Sequence, residues 1–213
     1  MPARECRYRR RVTAQSTTDP AGALQALLEG NNRFVEGRPQ HPNQDVDRRA
    51  ELQGGQAPFA VVFGCADSRV AAEIIFDRGL GDLFMVRTAG HVVDAAVLGS
   101  VEFAVEYLGV PLVLILGHDS CGAVIAAASA VESGQMPSGY VRDIVERITP
   151  AVMATHAAGG GLEDIGAENV RQTASLLLER SPLLAGRVER GRCQIVGVVY
   201  DLADGRVRMV DER

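Results

Sequence analysis

The chain reads as an α/β protein, with a central, mainly parallel sheet flanked by helices. Three observations predict this. Short apolar runs without polar alternation stand at residues 59–63, 83–86, 112–116 and 195–200, and such runs suit strands covered on both faces. Stretches with helical periodicity lie between them, and alternation of strands with helices is the pattern of an α/β sheet. The length of 213 residues, 46% of them hydrophobic and 23% charged, supplies a core that needs no disulfide staples.

Taken in order, residues 1–17 hold Arg4, Arg7, Arg9, Arg10 and Arg11 with few apolar anchors and are expected to form a disordered leader. Residues 18–213 are expected to form a single domain. Asp19 and Pro20 supply an N-cap and a first-turn proline for a helix with Leu24, Leu27, Leu28 and Phe34 on one face, ended by Gly37 and Pro39. Residues 38–57 are polar, with Pro42, Gly54 and Gly55, and read as a long connection around a short helix. The first strand leads to a short helix at 71–76 and then to the second strand. Asp94 caps a helix expected over 95–108. After the third strand come helices at 123–131, 140–156 and 164–179, the first capped by Asp119 and Ser120. Gly159-Gly160-Gly161 is a loop within this domain. The fourth strand turns through 201–205 into a last short strand at 207–210, with Asp204-Gly205 as turn residues.

Composition excludes several classes of function. All 22 basic residues are Arg, which removes Schiff-base chemistry and a P-loop lysine. A net charge of −5 speaks against nucleic acid as a partner. No window approaches the roughly 18 apolar residues of a membrane span, and no apolar secretory core stands near Met1. A cytoplasmic location is expected, with Cys6, Cys65, Cys121 and Cys193 reduced. Cys6 and Cys193 read as small buried hydrophobes.

Two apolar runs end in reactive residues, Gly64-Cys65-Ala66-Asp67-Ser68-Arg69 and Gly117-His118-Asp119-Ser120-Cys121-Gly122. Ligands of open α/β sheets bind outside the carboxyl ends of the strands, where both segments fall. Two thiolates and an imidazole suit zinc, which takes four tetrahedral ligands. Cys65, His118 and Cys121 supply three. Asp67 or a water takes the fourth place, and that choice separates a closed site from a catalytic one. Two alternatives stay open at this point: a structural zinc site in an interaction protein, or a thiol hydrolase with Cys65 as nucleophile, His118 as base and Asp67 as orienter. His41, His91 and His156 read as solvent or packing residues.

The strings Cys65-Ala66-Asp67-Ser68-Arg69-Val70 and Gly117-His118-Asp119-Ser120-Cys121-Gly122-Ala123 resemble the two signatures of the β-class carbonic anhydrases. Residues 84–90 and 101–105 resemble that family's intervening strand and helix. The resemblance implies a zinc enzyme converting carbon dioxide reversibly to bicarbonate and a proton. It places zinc on Cys65, His118 and Cys121, with the Asp67–Arg69 pair beside the metal. Zinc lowers the pKa of bound water from about 15.7 toward 7. Attack by that hydroxide is expected to be gated by the pair, with Asp67 as fourth ligand in a closed form.

The resemblance also implies dimers or tetramers, with an N-terminal helical arm packing on a partner subunit. Gln56 matches a glutamine facing substrate from the partner, Phe84 an apolar wall residue, and Phe103 a position usually held by Tyr. His91 stands where the family usually has Asn. Val62 stands where one branch has a Trp of a regulatory bicarbonate pocket, to which Arg87 matches another residue, so the chain carries one of these two pocket residues and lacks the other.

Overall fold

The computed structural model describes residues 19–210, so the leader expected at residues 1–17 lies outside the described residues. Strands β1 (Ala60–Cys65), β2 (Leu83–Thr88), β3 (Leu112–His118), β4 (Gln194–Tyr200) and β5 (Val207–Met209) form one sheet in the order β2-β1-β3-β4-β5. β1 pairs in parallel with β2 and β3, and β3 with β4; β5 runs antiparallel to β4. Every residue of β1 and β3 is buried, which accounts for their unalternating apolar runs. β2, at an edge, is half-buried over most of its length.

The helices are α1 (Pro20–Val35), α2 (Val46–Glu51), α3 (Ala72–Ile75), α4 (Ala95–Glu102), α5 (Gly122–Ser133), α6 (Val141–Ala157), α7 (Leu162–Arg180) and α8 (Pro182–Glu189). Alternate strand residues face opposite layers. Val61, Phe63, Val113 and Ile115 pack with Val97 and Val101 of α4, Val170 and Leu177 of α7 and Leu184 of α8. Val62, Leu112, Leu114 and Leu116 pack with Ala23 and Leu27 of α1 and Ile75 of α3. Each such Val, Leu or Ile contributes about 1.5–3 kcal/mol on full burial. A third cluster joins Cys65 and Cys121 to Val124 and Ala127 of α5 and Val145 and Ile148 of α6. It lies at the carboxyl ends of β1 and β3.

Local signals explain most boundaries. Asp19 Oδ1 accepts the Gly22 N–H at 2.8 Å and Asp94 Oδ1 the Val97 N–H at 2.8 Å, capping α1 and α4 as expected. Three expectations need correction. The helix expected over 95–108 changes after Glu102 into a π-helical segment, Phe103–Leu108, stopped by Gly109 at φ 73°. α5 starts after Cys121 with no side-chain cap. Asp119 Oδ1 instead accepts the Leu202 N–H at 3.2 Å, and Ser120 sits at φ 48°. α8 was not foreseen, although Ser181-Pro182 is a cap followed by a first-turn proline; Ser181 Oγ accepts the Leu184 N–H at 3.1 Å.

Two buried carboxylates fasten the long connection after α1. Asp77 accepts Arg33 Nε at 2.6 Å, the Gln40 N–H and the His41 N–H. Asp82 accepts Asn43 Nδ2 at 2.8 Å and the Gly79 N–H at 2.9 Å. Among the described residues no helix is long and apolar enough to cross a membrane.

Candidate metal centre

Cys65 is the last residue of β1 and His118 the last of β3, and these strands are hydrogen-bonded neighbours in parallel register, Gly64 opposite Leu116. Parallel pairing therefore delivers both side chains to one rim, strands being about 4.8 Å apart. Two residues of turn bring Cys121 back over that rim. The Sγ atoms of Cys65 and Cys121 and a ring nitrogen of His118 all lie within 4.8 Å of one another, and all three residues are buried.

The sulfurs are 3.9 Å apart, far beyond the roughly 2.05 Å of a disulfide. Tetrahedral bonds of about 2.3 Å from each sulfur to zinc set two sulfurs about 3.8 Å apart. His118 Nδ1–H donates to the Asp119 carbonyl at 2.7 Å, so the Nε2 lone pair is the free one. That Nε2 is buried without a hydrogen-bond partner among the described residues, an orphaned acceptor that a cation would satisfy. The donor set, its spacing and the orphaned nitrogen fit zinc.

The Cys121 thiol facing Cys65, with help from the nearby His118 ring and then the Gly90 N–H at 3.3 Å, outweighs burial and pulls the Cys65 pKa well below the thiol range. Cys121 is pushed up, first by that same contact and then by burial. At 3.9 Å either sulfur can donate to the other, so the two thiols titrate as a pair, and a dication held here would take the place of the shared proton. Cys193 lies elsewhere in the core, its thiol pushed up to about 11 mainly by burial.

Asp67 stands beside this set, its Oδ2 3.9 Å from His118 Nε2. Arg69 grips it through Nε on Oδ1 at 3.0 Å and Nη2 on Oδ2 at 2.7 Å, and the Arg69 N–H adds 2.9 Å to Oδ1. The Arg69 side-chain bonds, outweighing burial, hold the Asp67 carboxyl far below the usual carboxylate range. Arg69 Nη2 also reaches the Ser120 carbonyl at 3.4 Å, linking the two signature segments. Arg87 clamps the turn from behind, with Nε on the Cys65 carbonyl at 2.9 Å and Nη2 on that of Asp67 at 2.6 Å.

Cys65, Asp67, Arg69, His118 and Cys121 are thus brought together. Gln56, Phe84 and Phe103 stand apart from them within one chain. Phe84 lies opposite Val61, whereas Thr88 lies opposite Cys65, a separation of roughly 13 Å along the strand. Phe84 and Phe103 face each other at 6.3 Å between ring centroids, and Phe103 stacks on Tyr107 at 5.5 Å. Gln56 is in the loop before β1. From His118 and Cys121 a cleft of about 750 Å³ runs past Val124 and Ile125 toward Arg171 and Arg208.

The sequence model of the carbonic anhydrase family matches residues 60–207, spanning every residue of the cluster. The chain belongs to the β-carbonic anhydrase family. It is similar to carbonic anhydrase 2 of Mycobacterium tuberculosis, with 56% identity over 195 residues, 91% of this chain and 94% of the relative. A solved β-carbonic anhydrase of Aspergillus fumigatus superposes with a TM-score of 0.69 at 28% identity, over 88% of this chain and 90% of that one. Tetrameric β-carbonic anhydrases of Sordaria macrospora share the fold, with a TM-score of 0.69, 23% identity and coverage of 89% and 97%.

Carbonic anhydrases are lyases, and this chain carries the family's two signatures in one rim. His91, where the family usually has Asn, is buried at 3% exposure with its ring edge toward Phe63. Burial lowers its pKa to about 4, so it is a neutral packing residue, as read from the sequence. Sequence reasoning missed the Arg87 clamp and the contact of Gly90 with Cys65. The available signals were the family match of residues 84–90 and that of Arg87 to a bicarbonate-pocket residue, neither of which points to these contacts.

Proposed function

We propose that this protein catalyses the reversible hydration of carbon dioxide to bicarbonate and a proton, with zinc held by Cys65, His118 and Cys121. One observation carries the reading: a buried set of two sulfurs and an orphaned imidazole nitrogen beside a carboxylate locked by an arginine. Zinc bound there supplies the Lewis acidity that makes water a nucleophile near neutral pH. The chain's own residues do the rest. His118 is held in one tautomer by the Asp119 carbonyl. Asp67, kept ionised by Arg69, accepts a hydrogen bond from the attacking water and turns a lone pair toward the carbon of the substrate. Arg69 also keeps the carboxylate off the ligand set. Released from Arg69, Asp67 would offer an oxygen as the fourth donor facing that set, which is the closed form.

We assign Gln56, Phe84 and Phe103 to the substrate wall of a partner's site in a dimer or tetramer, with the N-terminal helical arm packed on that partner. Their separation from the chain's own cluster supports this, as does the half-exposed ring of Tyr107 continuing the aromatic surface. The single-domain reading of residues 18–213 is supported, over the described residues, by the sheet that underlies all three core clusters. A cytoplasmic location agrees with three free thiols among the described residues, since disulfides are rare in a reducing compartment.

The structural-zinc alternative requires Asp67 as a permanent ligand, and its engagement with Arg69 counts against that. The thiol-hydrolase alternative leaves Cys121 without a role, although its buried sulfur lies within 4.8 Å of the Cys65 and His118 ligand atoms. Metal analysis followed by stopped-flow carbon dioxide hydration at alkaline pH decides among the three. One zinc per chain with hydration is expected. Zinc without hydration supports the structural site, and a metal-free protein the thiol enzyme.

A further inference from the structure

β2 ends in a turn, Ala89–His91, that is conformationally costly. Gly90 has φ 62° and His91 φ 44°, the left-handed region that glycine enters freely but that a residue with a side chain, here His91, enters only when its surroundings impose it. Three helices impose it. A Cβ on Gly90 would lie 2.7 Å from Ile148 Cδ1 of α6 and 2.8 Å from Ala123 Cβ of α5, so both helices press directly on its backbone. From α7, Asn169 Nδ2 donates one proton to the Gly90 carbonyl at 3.1 Å and the other to His91 Nε2 at 3.3 Å. His91 Nε2 is therefore an acceptor, and Nδ1–H donates to Thr173 Oγ1 at 3.2 Å. Asn169, His91 and Thr173 are all buried. On the adjoining peptide plane, joined to that carbonyl through the Gly90 Cα, the Gly90 N–H points at Cys65 Sγ, 3.3 Å away.

We propose that Asn169 is a positioning residue of the metal centre: by holding the Gly90 carbonyl and the His91 ring, it keeps the Gly90 N–H on the Cys65 sulfur. His91 and Thr173 complete the clamp. An N–H donor on a thiolate orients its remaining lone pairs and draws charge from it. That matters at a site with two thiolates, which donate more charge to a metal than imidazoles do and so weaken its Lewis acidity. Groups that orient metal ligands in this way typically change metal affinity or activity by 10–100-fold when removed. The inference rests on the proposed zinc site.

The test compares wild type with Asn169→Ala, Thr173→Val and the control Leu177→Ala. Leu177 is a fully buried residue of α7 outside the clamp. Zinc affinity is read by chelator competition, and the cobalt-substituted proteins by their sulfur-to-cobalt charge-transfer absorption. Asn169→Ala is expected to weaken zinc binding by about tenfold or more and to move the absorption to longer wavelength, because a sulfur without its N–H donor gives up charge more readily. Thr173→Val is expected to shift the band the same way by less, and it decides the matter should Asn169→Ala fail to fold. Leu177→Ala should leave both readouts at wild-type values. Wild-type affinity and spectrum in the folded clamp variants, or an equal shift in Leu177→Ala, overturns the inference alone. A wild-type protein that takes up neither metal overturns the proposed function and this inference with it.

Discussion

Replacing Gly90 by Ala tests the packing that supports the centre. An L-residue in the left-handed region costs roughly 1–2 kcal/mol. The new methyl would also stand 2.7 Å from Ile148 Cδ1 and 2.8 Å from Ala123 Cβ, and overpacking of this kind costs typically about 1–3 kcal/mol. Together these give a loss of about 2–5 kcal/mol, a large part of a domain's usual stability of roughly 5–15 kcal/mol. Urea unfolding of the metal-free protein measures it, provided the slope of the transition is unchanged. A second substitution isolates the steric part. Ile148→Val removes Cδ1 and alone costs about 0.5–1.5 kcal/mol, but in the Gly90→Ala background it also removes one of the two clashes. Its cost there should shrink or reverse sign. A Gly90→Ala loss below about 1 kcal/mol, or an Ile148→Val cost that is the same in both backgrounds, would refute the reasoning.

Arg69→Ala should lower carbon dioxide hydration by roughly 10–100-fold while barely moving the unfolding midpoint, because its exposed ion pair adds little to stability; wild-type turnover would show that the pair is idle. Asp77 gives a pH-dependent prediction. Burial raises its pKa, but the Gln40 N–H, Arg33 and the His41 N–H outweigh it and leave the folded value below normal. A depressed folded pKa means that its stabilisation is present above the unfolded value of about 3.9 and is lost as pH falls through the folded one. The penalty of Asp77→Asn in denaturant unfolding should therefore be smaller at about pH 2.5 than at pH 7. An equal penalty at both would contradict the assignment.

The sheet was legible because β1 and β3 are buried on both faces and so read as unbroken apolar runs. Their ends were less so. The runs expected at 59–63 and 112–116 stop short of Cys65 and His118, which pairing with Thr88 and Tyr200 draws into the strands. Cys65 and His118 are therefore strand termini, while Cys121 stands between the turn after β3 and the start of α5. The family's two signatures carried the centre itself, since each places its reactive residues within a few positions of a strand end. The residues around it were not legible. Asn169 meets Gly90 across 79 positions, and nothing in an amphipathic α7 sets one polar residue on its buried face apart from another. Arg87 reads as the match to a bicarbonate-pocket residue, and its bonds to the Cys65 and Asp67 carbonyls are visible only in the folded chain. Asp119 resembled a cap by its place before a helix, but the Leu202 N–H competes for the same carboxylate and takes it.

Counting the atoms around the bound metal tests the central claim most directly. X-ray absorption at the zinc edge of the purified, zinc-loaded protein should fit two sulfurs at about 2.3 Å and a single imidazole nitrogen at about 2.0–2.1 Å, completed by one light atom. A shell with no sulfur, with four, or with several imidazoles would contradict it.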